Sequence, residues 1–250
     1  MHLRMETAGA VATLTIDRPG KRNALNLDMW TAIPELVGSL GPDTRVLLIQ
    51  GGEHFSAGAD IAEFEALRSG ADDAARYSEI VHAAERAITD FPQPTIAVIN
   101  GFCIGGGCEI ALACDMRIAA DDARFGITPA KLGIVYNFTS TKQLVDAVGK
   151  AWAKQILFTS EIIDAATALR IGLVNELHPE GDLEARAKQL ADTISSRAQV
   201  TVRGSKKIIN RIADGEHEDD SVRALYDEAV HSADYAEGVR AFLEKRTPRF

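Results

Sequence analysis

Apolar residues recur along this chain in two rhythms, and the places where one gives way to the other mark its elements. Val11-Ala12-Thr13-Leu14-Thr15-Ile16 reads as a strand and stops at Asp17-Arg18-Pro19-Gly20, residues that favour a turn. Val46-Leu47-Leu48-Ile49, closed by Gly51-Gly52, and Thr95-Ile96-Ala97-Val98-Ile99, running into Asn100-Gly101, are almost wholly apolar, as strands covered on both faces are. Shorter strands are predicted over 116–120 and 173–177. Segment 71–91 has helical spacing, with Ile80, Ala84, Ala87 and Ile88 on one side. A further helix is predicted from about Asn26, kinked or divided at Pro34. From about Asp182 the pattern is helical and heavily charged, and the acidic run 216–220 is predicted as a loop entering a helix capped by Asp220 or Ser221. Strands alternating with helices, then helices alone, predict an α/β core with a C-terminal helical region.

Composition narrows the function. The chain has 250 residues, 46% hydrophobic and 25% charged, enough for a large core. A net charge of −9 disfavours nucleic acid and anionic membranes as partners. The long apolar stretch 95–116 contains Asn100, Glu109, Asp115 and several glycines, so it reads as a buried strand, turn and helix rather than a membrane span. Cys103, Cys108 and Cys114 are odd in number and include no CxxC; reduced, buried cysteines are expected, and no metal site. The opening Met1-His2-Leu3-Arg4-Met5-Glu6 has no secretory pattern, so a cytoplasmic location is expected.

Two glycine-bearing turns follow apolar strands: His54-Phe55-Ser56-Ala57-Gly58-Ala59-Asp60-Ile61 and Asn100-Gly101-Phe102-Cys103-Ile104-Gly105-Gly106-Gly107-Cys108-Glu109. Successive glycines let a main chain approach a ligand closely, because no Cβ intervenes. The residues after them, up to Cys114, are helix-compatible, so the glycines are predicted as the first turn of a buried helix with free N–H groups. One such amide and one from the Gly58-Ala59 turn can meet at a carbonyl oxygen. Preorganised donors of that kind contribute about 3–4 kcal/mol each to a transition state carrying an oxyanion. Either turn alone is also what an ordinary tight turn looks like. Glu109 tips the balance, because at about 100° per residue it falls on nearly the same side of the helix as Gly106. A carboxyl there suits proton transfer; a buried structural glutamate is the competing reading. Ser56 and Cys108 adjoin the turns, but there is no GxSxG and no histidine tied to either by spacing. His54 is expected as an exposed turn residue, and His82 with Glu85 as helix surface rather than a metal pair.

Four stretches, in order and spread over nearly the whole chain, closely resemble the crotonase (enoyl-CoA hydratase/isomerase) superfamily. They are Arg18-Pro19-Gly20-Lys21-Arg22-Asn23-Ala24-Leu25, Phe55-Ser56-Ala57-Gly58-Ala59-Asp60-Ile61, residues 100–115, and Tyr235-Ala236-Glu237-Gly238-Val239-Arg240-Ala241-Phe242-Leu243-Glu244-Lys245-Arg246. The resemblance implies an α/β fold, a crotonase-like spiral of ββα units over 1–190 carrying an acyl-CoA site, with a helical trimerisation region over 191–250. It implies a homotrimer or hexamer, an acyl-CoA substrate with coenzyme A as part of the thioester, and no separate cofactor. By position it assigns the oxyanion amides to Ala59 and Gly106 and sets the coenzyme against Arg22, Ala24, Ala57, Asp60 and Ile61. Phe242 and Lys245 match tail positions that approach the coenzyme, often from a neighbouring subunit; Lys245 is also readable as a plain surface charge.

The family's hydratases resemble one another in carrying two glutamates that hold the added water. Glu109 matches the first, but Pro129 stands where the second falls, and proline neither accepts a proton nor positions water. The lone base of the isomerase relatives occupies that second position as well. Thr128-Pro129, Leu132-Gly133 and Tyr136-Asn137 instead resemble the methylmalonyl-CoA decarboxylase branch, although that branch carries histidine where this chain has Ala59. The expectation is therefore an acyl-CoA lyase that forms a thioester enolate by decarboxylation, with Tyr136 and Thr128 near the departing carboxylate. Tyr136 is equally readable as an aromatic at the edge of the core. The alternatives are an enoyl-CoA hydratase/isomerase and a non-catalytic acyl-CoA-binding member.

Overall fold

In the computed structural model, which describes residues 2–67 and 69–250, an antiparallel hairpin of β1 (Leu3–Ala8) and β2 (Val11–Ile16) opens the chain and edges its main sheet. Helix α1 (Leu27–Gly38) follows, capped by the Asn26 side chain on Met29 N–H, with Pro34 inside it. Next come β3 (Val46–Gln50), the short α2 (Phe64–Leu67) and α3 (Ala71–Thr89). Then the chain repeats a strand, strand, helix unit: β4 (Thr95–Ile99), β5 (Phe102–Ile104) and α4 (Gly106–Ala113), followed by β6 (Met116–Ala120), β7 (Arg124–Gly126) and α5 (Phe138–Thr159). Helix α5 is broken at Gly149, where φ is 74°. The chain closes with β8 (Ile163–Asp164), α6 (Ala165–Arg170), β9 (Glu176–His178), α7 (Glu180–Ser195), α8 (Gln199–Ala213), α9 (Asp220–Val230) and α10 (Ala233–Glu244).

The first strand of each unit joins a six-stranded sheet ordered β1-β2-β3-β4-β6-β9, parallel from β2 onward. The second joins a smaller sheet, β5-β7-β8, which a single bridge between Ser56 and Cys103 extends toward the preceding unit. Strands buried on both faces need apolar residues at successive positions, and Val46 to Ile49 and Ile96 to Ile99 supply them, each at most 7% exposed. Helix α4 is buried at every position, as its lack of a polar face requires. All three cysteines are free and buried.

Several local expectations are corrected. The last strand of the main sheet is Glu176–His178 rather than 173–177, because Leu173 and Val174 are buried in the turn after α6. Helix α9 is capped by Asp219, whose Oδ1 accepts the Val222 N–H at 3.0 Å. The buried stripe of α3 is Tyr77, Val81, Ala84, Glu85 and Ile88, rotated from the predicted one so that Ile80 and Ala87 lie at its margin. Glu85 is thus fully buried and His82 lines a cavity; neither is helix surface. His54 is no exposed turn residue either: its ring packs on Phe102, centroids 4.7 Å apart, with a side chain 17% exposed.

Candidate active site

The first glycine turn is bound on both sides until one amide is left. Ser56 pairs with the second sheet through Ser56 N–H to Phe102 O and Ile104 N–H to Ser56 O, each 2.9 Å. Its hydroxyl donates to Asn23 O at 2.8 Å and accepts from Gly58 N–H at 3.1 Å. Ala57 N–H donates to Arg22 O and Asp60 N–H to Leu25 O. Gly58 has φ 99°, so its carbonyl turns back to accept Leu25 N–H at 2.7 Å; that geometry admits only glycine readily. Of residues 56–60, Ala59 alone has an N–H with no acceptor among the described residues.

The second turn does the same. Gly105, with φ 50°, donates its N–H to Gly126 O at 2.7 Å, and Glu109 N–H returns to Gly105 O. Gly106 is the first residue of α4, so its N–H has no partner inside the helix. The two free amides are neighbours: a Cβ on Gly58 would stand 3.4 Å from Gly106 N, and one on Gly106 would stand 3.4 Å from Ala59 N. The predicted pair of donors is therefore brought together from two distant loops.

Both amides open on a cavity of about 350 Å³, lined also by Ala57, Ile61, Glu109, Thr128, Pro129 and Tyr136. Trp30, Tyr77 and Ile127 form apolar wall, and Glu109 is the only carboxylate among the described lining residues. The Tyr136 phenol is held above its ordinary pKa, first by burial and then by the charge of Glu109; it stays a neutral hydrogen-bond donor. Its hydroxyl lies within hydrogen-bonding reach of the Glu109 carboxylate. Pro129 heads a single 3-10 turn, Pro129–Lys131, a position where its fixed φ and missing N–H are both acceptable.

The predicted coenzyme residues divide. Ala57 and Ile61 line the cavity. Asp60 accepts a 2.8 Å hydrogen bond from Arg18, which lowers its pKa, and caps the following turn on Ala62 N–H. Arg22 has φ 48° and lays its guanidinium over the Phe102 ring at 5.7 Å, and Ala24 O accepts from Arg18 Nη1. Phe242 and Lys245 are not brought to this cavity: Phe242 is 83% exposed on α10, and Lys245 ends that helix in a left-handed conformation. Sequence reasoning missed Trp30, His82, Glu85 and Ser140. For Glu85 a signal existed, since 77, 81, 84, 85 and 88 form one helical stripe with a carboxylate in its middle. Among the described residues no group of His, Cys, Asp or Glu is arranged to hold a metal, and no helix is long and apolar enough to cross a membrane.

A spiral of ββα units and two loop amides meeting beside a glutamate define an acyl-CoA class of enzyme, and comparison with known proteins makes the assignment: residues 6–250 match the Enoyl-CoA hydratase/isomerase family, and the chain belongs to it. Among its relatives, the short-chain-enoyl-CoA hydratase of Clostridium acetobutylicum is 39% identical over 251 residues, spanning 97% of this chain and 94% of that one. The crotonyl-CoA hydratase of Syntrophomonas wolfei is 38% identical, spanning 98% and 96%. The crystal structure of an enoyl-CoA hydratase/isomerase family protein from Hyphomonas neptunium superposes with a TM-score of 0.97 at 38% identity, over 100% of this chain and 97% of that one.

These relatives overturn the decarboxylase expectation, since they are named hydratases. The expectation rested on Pro129 and the segment 128–137. In the structure Pro129 is explained by the turn it begins, and that local need carries no information about a departing carboxylate.

Proposed function

We propose that this chain hydrates a short trans-2-enoyl-CoA to the 3-hydroxyacyl-CoA. The observation that carries the reading is the pair of acceptor-free amides, Ala59 and Gly106, opening on the same cavity as Glu109 and Tyr136. With the thioester oxygen on the two amides, charge developing there is stabilised as the β-carbon is attacked. Glu109 takes a proton from the attacking water, the new C–O bond forms at C3, and the electron pair of the double bond moves onto the thioester as an enolate. The same carboxyl then returns its proton to C2. Atoms balance as one water added across the double bond. Tyr136, a neutral donor within hydrogen-bonding reach of Glu109, helps orient that carboxyl and the water it holds. A single carboxyl serving both transfers accounts for Pro129 where the two-glutamate pattern has its second acid.

Coenzyme A enters only as part of the thioester, and the Arg18-to-Ile61 region is its side of the cavity. The reading includes assembly into trimers or pairs of trimers, supported by large apolar side chains left exposed, among them Val135, Phe138, Phe158 and Phe242. The test is hydration of crotonyl-CoA, followed as loss of the enoyl absorbance with chromatographic identification of the 3-hydroxy product. Unchanged absorbance across short and medium enoyl thioesters would reject it. A product with a migrated double bond and no added water would assign Glu109 to isomerisation instead.

A further inference from the structure

Behind the cavity wall lies a second carboxyl that this mechanism does not use. Glu85, on the inward stripe of α3, is 0% exposed, and its Oε1 accepts a 2.5 Å hydrogen bond from Ser140 Oγ. Neighbouring bonds fix the direction of that one. Asn137 caps α5 through Oδ1, which accepts Ser140 N–H at 2.8 Å, so its Nδ2 is the end that meets Ser140 Oγ at 2.7 Å. An amide nitrogen only donates. Ser140 Oγ therefore receives one hydrogen from Asn137 and has its own for Glu85 Oε1. Glu85 Oε2 and His82 Nε2 are buried with no hydrogen-bond partner among the described residues, and the Tyr136 hydroxyl is buried within electrostatic reach of Glu85. Buried polar atoms without a protein partner are commonly satisfied by an ordered water.

We propose that Glu85 is a positioning residue for the hydration, working as a neutral acid: with Oε1 held by Ser140, the proton on Oε2 is donated through a bridging water to the Tyr136 oxygen, which aims the phenol's own hydrogen at the water beside Glu109. This rests on the hydratase reading. A phenol has one hydrogen to give. An ionised Glu85 only accepts, and draws that hydrogen backward, away from the reacting water; a protonated one donates and turns it forward. Burial raises the Glu85 pKa, against the lowering influence of the Ser140 hydrogen bond, His82 and Arg86. Asn137, the cap of α5, reaches the Ser140 hydroxyl beside it, and Tyr136, next along the chain, faces Glu109 and Cys108 on α4 as well as Glu85. Since Glu85 is protonated below its raised pKa, activity is full there and falls as pH rises through it.

The experiment is the pH profile of crotonyl-CoA hydration for wild type, Glu85→Ala and Glu85→Gln, with a thermal melt of each. Glu85→Ala is expected to lose about tenfold in kcat on the acid side of the wild-type descending limb with KM held, the size of one misdirected hydrogen bond. In Glu85→Gln, Ser140 still binds Oε1 and the amide nitrogen donates where the acid proton did. That variant should recover most of the loss and no longer show the descending alkaline limb. Equal losses in both variants, or a limb unmoved in Glu85→Gln, overturn the proposal while leaving hydration intact. Should Glu85→Ala fail to fold, the limb in Glu85→Gln decides alone. Wild type inactive on every enoyl-CoA overturns both readings together.

Discussion

One added carbon at Gly106 meets both the acyl site and the core. A Cβ there would stand 2.8 Å from Trp30 Cζ2, closer than van der Waals contact permits, and Trp30 is fully buried on α1. Gly106→Ala must therefore shift the helix start or the indole, and in the proposed hydration either movement takes the Gly106 amide off the thioester oxygen. Activity should fall by about 10²–10³, the usual loss for one such donor, measured as kcat on crotonyl-CoA. Glu109→Gln keeps the shape of the site and removes the proposed base; a loss of about 10²–10⁴ in kcat is expected, with thioester binding by calorimetry little changed. A Gln variant of near wild-type rate would remove Glu109 from the chemistry. That these residues meet at one cavity was legible because their signals are local: glycines beside strands, and an acid one helical turn on. The companion groups were not, since Trp30 and Tyr77 line the cavity from two separate helices, Ser140 stands behind its wall on a third, and nothing in their neighbours along the chain points there.

Elements were read well where one burial pattern dominates and poorly where tertiary contacts choose between two. Strands β3 and β4 are apolar on both faces, so no choice of register could be wrong. Helix α3 offered two overlapping stripes, and the packing on α1 and α4 selected the one holding Glu85. Strand β9 is short and half-buried, and it is held by its pairing with β6 together with an ion pair. Glu176 on β9 binds Arg186 of α7 through both carboxylate oxygens at 2.7 Å, with His178 Nε2 at 2.8 Å. The Arg186 hydrogen bonds bring its pKa from the ordinary 4.5 down to about 2. A lowered pKa in the folded chain means the stabilisation is present above the unfolded value and disappears as acid is added. The pair should thus contribute to stability at neutral pH and fade between pH 4.5 and about 2. Because the pair is partly exposed, about 1 kcal/mol is expected. Glu176→Gln should lower Tm at pH 7 and flatten its fall on acidification; an acid limb as steep as wild type would reject the linkage.

At the scale of the whole molecule, the C-terminal helices do not make a core of their own. Helix α8 buries no residue, and α10 buries only Glu237 and Ala241 of its own length. Glu237 holds the tail, bonded to Arg240, to Arg246 and to the Arg249 N–H, which together keep its pKa well below the ordinary carboxylate range. Facing away from that anchor, Phe242 and Leu243 are 83% and 74% exposed. A helix that is polar where it is held and apolar where it is bare has its stabilising surface elsewhere, and burying one phenylalanine contributes about 2 kcal/mol. In the proposed trimer the surface is a neighbouring chain. Native mass measurement should give three or six chains of 26.9 kDa. Phe242→Glu, which leaves the Glu237 anchor untouched, should shift the population to smaller species and lower Tm, with KM for the CoA thioester rising if that face borders a neighbour's site. A wild-type monomer at micromolar concentration, or a Phe242→Glu protein of unchanged mass, would mean that α10 meets no second copy of this chain.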